Sequence, residues 1–358
     1  MPEFLIRRED LRQTRIEESA PAELEDGQAL LRVDRFGLTA NNVTYAVFGE
    51  SMSYWSFFPA EDGWGRVPVW GFADVEASAH PDLAVGGRVY GYLPPSTHLV
   101  VTPGGADERG FVDAALHRAP LPSAYQRYLL SDTDPFYLAE REDLQMLLRP
   151  LFFTSFLLAD DLADGGLAGA RTAVISSASA KTAIGTAFLL ADQSDSDVEV
   201  IGLTSARNVE FVEGLDVYDR VVAYEELALI DPQSAAYVDV SGDGEIRASV
   251  HRHFGDELRA SIAVGATRWE ELDSGSGERP GPAPRFFFAP DRVKKRGADW
   301  GRAGLEDKVA EAWHPFVEWT AGWLEVVPDS GFEAVERVYL DLLENRVGPS
   351  LGHVLSIL

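Results

Sequence analysis

The chain has no cysteine among its 358 residues. Disulfides, cysteine-held zinc, iron–sulfur clusters and a thiol nucleophile are therefore excluded. Lysine is almost as scarce, confined to Lys181, Lys294, Lys295 and Lys308. Positive charge as a whole is in short supply: 31 Lys+Arg stand against 58 Asp+Glu, a formal net charge of −27. A field of that sign repels nucleic-acid phosphates and anionic lipid, so neither nucleic acid nor a membrane surface is expected as a partner. Also missing is an apolar run of about 18 residues, the minimum for a membrane span. The opening stretch Met1–Ile16 is charged rather than signal-like. These absences together predict a cytoplasmic protein.

What is present is a large apolar fraction, 46% hydrophobic with 11% aromatic, in a chain long enough for two domains. Up to about residue 120, short apolar runs are punctuated by Gly and Pro, and Gln28–Arg35 alternates apolar and polar residues at period two. Both are strand signals. Tyr125, Tyr128, Leu129 and Leu144–Leu148 have roughly helical spacing, and Pro150 marks a boundary. From residue 151, strand and helix alternate: Thr172–Ser176, then Thr182–Ala191, Val198–Leu203, Val209–Glu213, Arg220–Ala223, Ala236–Val240 and Ser261–Val264. That pitch predicts βαβ units on a parallel sheet. Residues 273–284 are rich in Gly, Pro and Ser and read as an interdomain loop. Helices are expected around Leu305–Leu324 and Gly331–Asn345, and a last strand at His353–Leu358.

The chemistry is concentrated at Thr172–Thr186, where a strand enters a loop of tiny residues that opens a helix. Backbone N–H groups and the helix dipole at such a junction suit an anion, usually a dinucleotide pyrophosphate. The usual glycines are replaced by Ser177, Ala180 and Ala183, and a strand–helix turn capped by Ser or Thr would look the same. Lys181, alone among Ser and Ala at the helix start, tips the reading toward phosphate. The following strand ends in Thr204, Ser205 and Arg207 without the acid that holds a free ribose 2′-hydroxyl. That ending suits the 2′-phosphate of NADPH. Ser177, Ser179, Lys181, Thr182, Thr204, Ser205 and Arg207 are the candidate cofactor-binding residues.

Several segments resemble the medium-chain dehydrogenase/reductase superfamily, nearest its zinc-free quinone- and enoyl-reductase branch. Leu38–Gly49 (LTANNVTYAVFG) is similar to its active-site strand and loop, Pro68–Ser78 to its Pro-x-x-Gly-x-Glu-x-x-Gly element, and Gly86–Gly91 to its Gly-Asp-Arg-Val turn. More narrowly, LTANNVTYAVFG, YWSFFPA, GWGRVPVWGFA, RPLFFTSF, SSASAKTA, GLTS and FFFAP resemble the bacterial family of unknown function DUF2855. The resemblance implies an α/β fold: a GroES-like β-rich domain (1–150, returning at 285–358) and a Rossmann-type doubly wound parallel sheet (151–272). It also implies a homodimer. Where zinc-dependent relatives carry ligands, this chain has Phe72 and Ala73, so no catalytic metal is expected.

Without a metal, hydroxyl and amide groups must polarise the substrate. Tyr45, Asn42 and Thr44 lie in the segment that matches the active-site loop, with Tyr45 the first-choice proton donor; a core aromatic is its equal alternative. Tyr54, Trp55 and Phe287, from two aromatic runs, are the expected pocket residues. His251 and His253 have ligand-like spacing, but nothing completes a set, and they read as surface residues. The function expected is NADPH-dependent reduction of a small to medium, fairly hydrophobic carbonyl or α,β-unsaturated carbonyl compound. The alternatives are a redox-inactive ligand- or partner-binding protein on the same fold, or a non-redox lyase-type enzyme.

Overall fold

The computed structural model describes residues 1–20, 23–191, 198–264 and 280–357. The chain divides into two compact units, Met1–Arg149 with Leu324–Leu358, and Pro150–Trp323.

The first unit is built on a nine-stranded sheet. Its middle is the strand Ala29–Leu38, paired antiparallel with Val69–Ser78, which pairs antiparallel with Arg88–Leu93. The alternation seen in the sequence sends Leu31, Val33 and Phe36 into a core with Val75, Val89 and the helix residues Val335, Val338 and Tyr339. The final strand, Leu351–Ser356, pairs with Ala29–Leu38 and so closes a sheet begun near the other end of the chain.

Two segments differ from the sequence expectation. The first is Leu38–Gly49, read as strand and loop, which contains a helix, α1 (Ala40–Val47). Its start is a capping box: the Thr39 side chain accepts a backbone N–H, and the Asn42 side chain accepts the Thr39 N–H at 2.7 Å. Asn in place of the usual Glu or Gln hides this signal. The second is the helical spacing around Tyr125–Leu129. Arg127–Leu130 is instead a strand between Gly110–Asp113 and Arg88–Leu93, and the helix begins only at Glu142. Sheet pairing that buries Tyr128 completely overrides the local pattern.

Among the described residues the second unit holds six parallel strands, numbered β1 (Thr172–Ser176), β2 (Glu199–Thr204), β3 (Arg220–Ala223), β4 (Ala235–Asp239), β5 (Leu258–Ala263) and β6 (Arg285–Phe286). Their order across the sheet is β3-β2-β1-β4-β5-β6. This is the dinucleotide-binding order, and β1 is buried at every position, as a strand covered on both faces must be. Helix α2 (Lys181–Ala191) follows β1. The helix Ala289–Thr320 packs Phe316 against Phe152 and Phe188, with ring centroids 4.6 and 5.3 Å apart. That apolar contact keeps residues 285–323 in the second unit, so the return to the first comes at Leu324, later than the expected 285. The expected loop over 273–284 lies outside the described residues as far as 279. His251 is a further correction. It sits on the helix Gly244–Phe254, fully buried, 2.9 Å from Ser261 Oγ and 3.0 Å from the Pro280 carbonyl.

Candidate functional site

In a doubly wound sheet the ligand crevice lies beyond the strand C-termini where the order reverses, here between β1 and β4. The floor of that crevice is polar, and most of its groups pair with one another. Ser176 Oγ bonds Asp239 Oδ1 at 3.1 Å and accepts the Val240 and Ser241 amides, both at 3.1 Å. Arg247 Nη1 donates to Asp239 Oδ2 at 3.1 Å. This pair is buried, and Asp239 also takes Ser241 Oγ and the Gly242 amide, which offsets the cost of burying its charge.

Above this floor the chain turns at Ser177, whose φ of 51° lies in the left-handed region that glycine usually fills. Its N–H donates to Tyr224 Oη at 2.8 Å, while the Ala180 N–H closes the turn onto the Ser177 carbonyl at 2.7 Å. Ser179 Oγ accepts from Asn208 Nδ2 at 3.0 Å, which ties the loop to the turn after β2. In α2 the Ile184 amide bonds back to Ala180 O at 2.9 Å, which opens the helix directly after the loop. Burial pushes the Lys181 ammonium down from 10.5 to about 8.

The structure thus brings Ser177, Ser179, Lys181 and Thr182 together at one loop–helix junction. Ser205 is half-buried and makes no capping bond, Arg207 is exposed, and Thr204 is buried. These groups fit the anionic parts of a dinucleotide: a helix N-terminus, one cation at its start, one beyond β2, and no acid at the end of β2. Tyr224 and Asn208 were missed by sequence reasoning. Each shows only through its neighbours, Tyr224 as the residue that follows β3 and Asn208 as the partner of Ser179.

In the first unit, Tyr45 joins Tyr54, Phe57, Phe58 and Tyr92 in a buried aromatic cluster, flanked by Trp70 and Tyr125. The Tyr45 and Tyr54 rings lie 4.7 Å apart. Tyr45 Oη receives two hydrogen bonds, from Asn41 Nδ2 at 2.7 Å and Trp70 Nε1 at 3.1 Å. Burial drives its ionisation well above the ordinary phenol value, outweighing those two donors, so it is held as the neutral phenol. Tyr54 Oη lies 3.5 Å from Tyr125 Oη.

The other expected residues fall elsewhere. Asn42 is buried, and both ends of its amide are in use: Oδ1 on the Thr39 N–H and Nδ2 on the Pro68 carbonyl at 2.8 Å. Thr44 is exposed, its hydroxyl 3.4 Å from the Ala40 carbonyl. Trp55, expected to face a cleft, is buried in the main core, where Gly49 and Gly65 make room for it; a Cβ on Gly65 would sit 2.4 Å from the indole. Phe287 is buried in the second unit, its N–H on the Ala263 carbonyl at 2.9 Å. Phe72 and Ala73 are fully buried in the sheet. Among the described residues, no three His, Asp or Glu side chains gather as metal ligands, and no helix is long and apolar enough to cross a membrane.

The strand order and the β-rich partner unit define a Rossmann-type domain combined with a GroES-like domain, the architecture of medium-chain dehydrogenases/reductases. CurA from Vibrio vulnificus, solved in complex with NADPH, is similar in structure at a TM-score of 0.64 and 13% identity, over 100% of this chain and 99% of that one. The YhdH oxidoreductase of Salmonella enterica, in complex with NADP, gives 0.55 and 15% over 100% of both chains. The quinone oxidoreductase of Coxiella burnetii gives 0.55 and 14%, over 100% of this chain and 99% of that one. No curated protein matches in sequence. The chain belongs to the DUF2855 family, described as proteins of unknown function, whose model matches residues 36–348.

Proposed function

We propose that the protein is an NADPH-dependent reductase that works without a metal on a hydrophobic carbonyl or α,β-unsaturated carbonyl compound. The observation that carries this reading is the loop Ser177–Ala180 between β1 and α2, with Lys181 at the helix start and an acid-free β2 end carrying Arg207. Bound there, NADPH supplies hydride. The chain's own part is to hold the phosphates with the α2 amides, Lys181 and Arg207. Tyr45, kept neutral by burial, is the candidate proton donor, and the surrounding rings favour an apolar substrate. That CurA and YhdH were solved with NADPH and NADP supports the cofactor class. Phe286, on the edge strand β6, and Phe288, just after it, are both exposed and support a homodimer formed along that edge.

Titration with NADPH and NADH, followed by tryptophan fluorescence, tests the reading. Binding of NADPH at micromolar concentration with weaker NADH binding is expected. Absence of binding to either at millimolar concentration would sink it, and the same fold would then be read as a redox-inactive binding protein.

A further inference from the structure

The Tyr45 hydroxyl has an unusual allocation of hydrogen bonds. A phenol oxygen accepts through its lone pairs and donates its single proton. Here both accepting directions are filled by N–H groups, from Asn41 one helical turn earlier on α1 and from Trp70 on the strand Val69–Ser78. Neither residue can take the proton in this arrangement. Among the described residues, no acceptor lies within hydrogen-bonding reach of it. The nearby phenols do not compete: Tyr54 Oη is directed to Tyr125, and the Tyr92 ring meets Tyr45 edge-on, with centroids 5.5 Å apart.

Both donors are themselves held. The Asn41 backbone N–H is drawn to the Thr39 side chain at 3.3 Å, at the start of α1. Trp70 stacks on Tyr90, with rings 17° from parallel. The two donors come from different elements, one on a helix and one on a strand. The Tyr45 oxygen is therefore fixed by a triangulated contact rather than by its own rotamer alone.

We propose that Asn41 and Trp70 are positioning residues that fill the Tyr45 oxygen with two hydrogen bonds and so fix its hydroxyl as an obligatory proton donor. The inference rests on the reductase reading. In that reaction a hydride adds to carbon, and the carbonyl electron pair moves onto oxygen. The Tyr45 O–H bond then breaks, and its proton passes to that oxygen. The phenoxide left behind carries the negative charge, and the same two N–H groups strengthen their bonds to it, as hydrogen bonds to ions do. A solvent proton restores the phenol. The overall change consumes one hydride and one proton.

Two variants test the idea, with NADPH and 9,10-phenanthrenequinone as the probe pair. Asn41→Asp keeps the side-chain shape but replaces the donor with an acceptor, which draws the Tyr45 proton inward. Trp70→Phe keeps an aromatic ring and deletes the N–H. Each should lower kcat about tenfold to a hundredfold with KM changed less than about threefold, and should raise the solvent isotope effect on kcat. Asn41→Ala should fall between Asn41→Asp and the parent chain. A purely packing role predicts that the isosteric Asn41→Asp is the mildest of the three.

A second readout needs no turnover. Tyrosine labelled with ¹³C at Cζ, with the Tyr45 signal assigned by Tyr45→Phe, reports the hydrogen bonds to that oxygen. The signal should move in both Asn41→Asp and Trp70→Phe. An unmoved signal in both overturns the proposal, whatever the activity. Wild-type kcat and isotope effect in both variants of an active enzyme also overturn it. A signal that moves in a chain that neither binds NADPH nor oxidises it supports the bond arrangement while refuting the reductase reading beneath it.

Discussion

Replacing Lys181 by Met isolates the one cation placed at the phosphate loop. Burial lowers the Lys181 ammonium from 10.5 to about 8, which corresponds to a cost of about 3–4 kcal/mol for carrying the charge in the folded chain. The sign follows from linkage. Between pH 8 and 10.5 the unfolded chain binds more protons at this residue than the folded one, so stability without ligand rises with pH across that window and the cost is full below it. Lys181→Met removes the cost, and the ligand-free variant should be more stable at pH 7 by an amount approaching that figure. Nucleotide binding should show the opposite response. A phosphate favours the charged form, so NADPH should bind best below pH 8 and lose up to about tenfold in affinity per pH unit above it, with proton uptake on binding. A charge-assisted bond to phosphate contributes about 1.5–3 kcal/mol, so the variant should bind NADPH about tenfold to a hundredfold more weakly at pH 7. Isothermal titration calorimetry at pH 6.5, 8 and 9.5 in buffers of different ionisation enthalpy measures affinity and proton uptake together. Equal NADPH affinity in variant and parent, with none of the expected pH dependence, would refute the assignment of Lys181 to the phosphate.

Three further changes probe the surrounding framework. Tyr224→Phe deprives the Ser177 N–H of its acceptor and should cost about 1–3 kcal/mol in urea denaturation, with nucleotide affinity altered; unchanged values would mean that the loop does not depend on that bond. Gly65→Ala places a methyl 2.4 Å from the Trp55 ring, and overpacking of this kind costs about 1–3 kcal/mol, read as a lower Tm; a Tm equal to the parent's would show that the indole can give way. Arg118→Met leaves Asp113 buried without its cation, since each side chain is only 1% exposed, and should cost about 3–5 kcal/mol by chemical denaturation, whereas no loss would indicate that the pair is not coupled in solution.

The second unit was legible because its signals are local. Short apolar strands alternate with helices from Thr172 onward, and the run of Ser and Ala that leads to Lys181 stands out against the rest of the chain. All six strands pair in parallel, as the alternation implies. The first unit was less legible because its decisive contacts join residues far apart in sequence. Tyr45 could be named from its segment, but its donor Trp70 is on a strand 25 residues away. Trp55 looked like a cleft residue because aromatic runs do not reveal which ring is inward. Gly49 and Gly65, which admit it to the core, are separated from it in sequence. Asn42 matched a family position, yet its amide is committed to the backbone on both sides. His251 shows the same limit: the spacing of two histidines did not reveal that one is on the buried face of a helix, against Ser261.

The amide of Asn42 bears on how little remains to be organised when a ligand arrives. Helix α1 has only eight residues, too few to persist alone in water. Its Asn42 side chain donates to the carbonyl of Pro68, immediately before the strand that carries Trp70. The short helix is thereby moored to the sheet, and the ordering entropy of the Tyr45 hydroxyl is settled when the chain folds. A substrate that meets that hydroxyl would find it preorganised, and its binding free energy would not be diverted into arranging the donor.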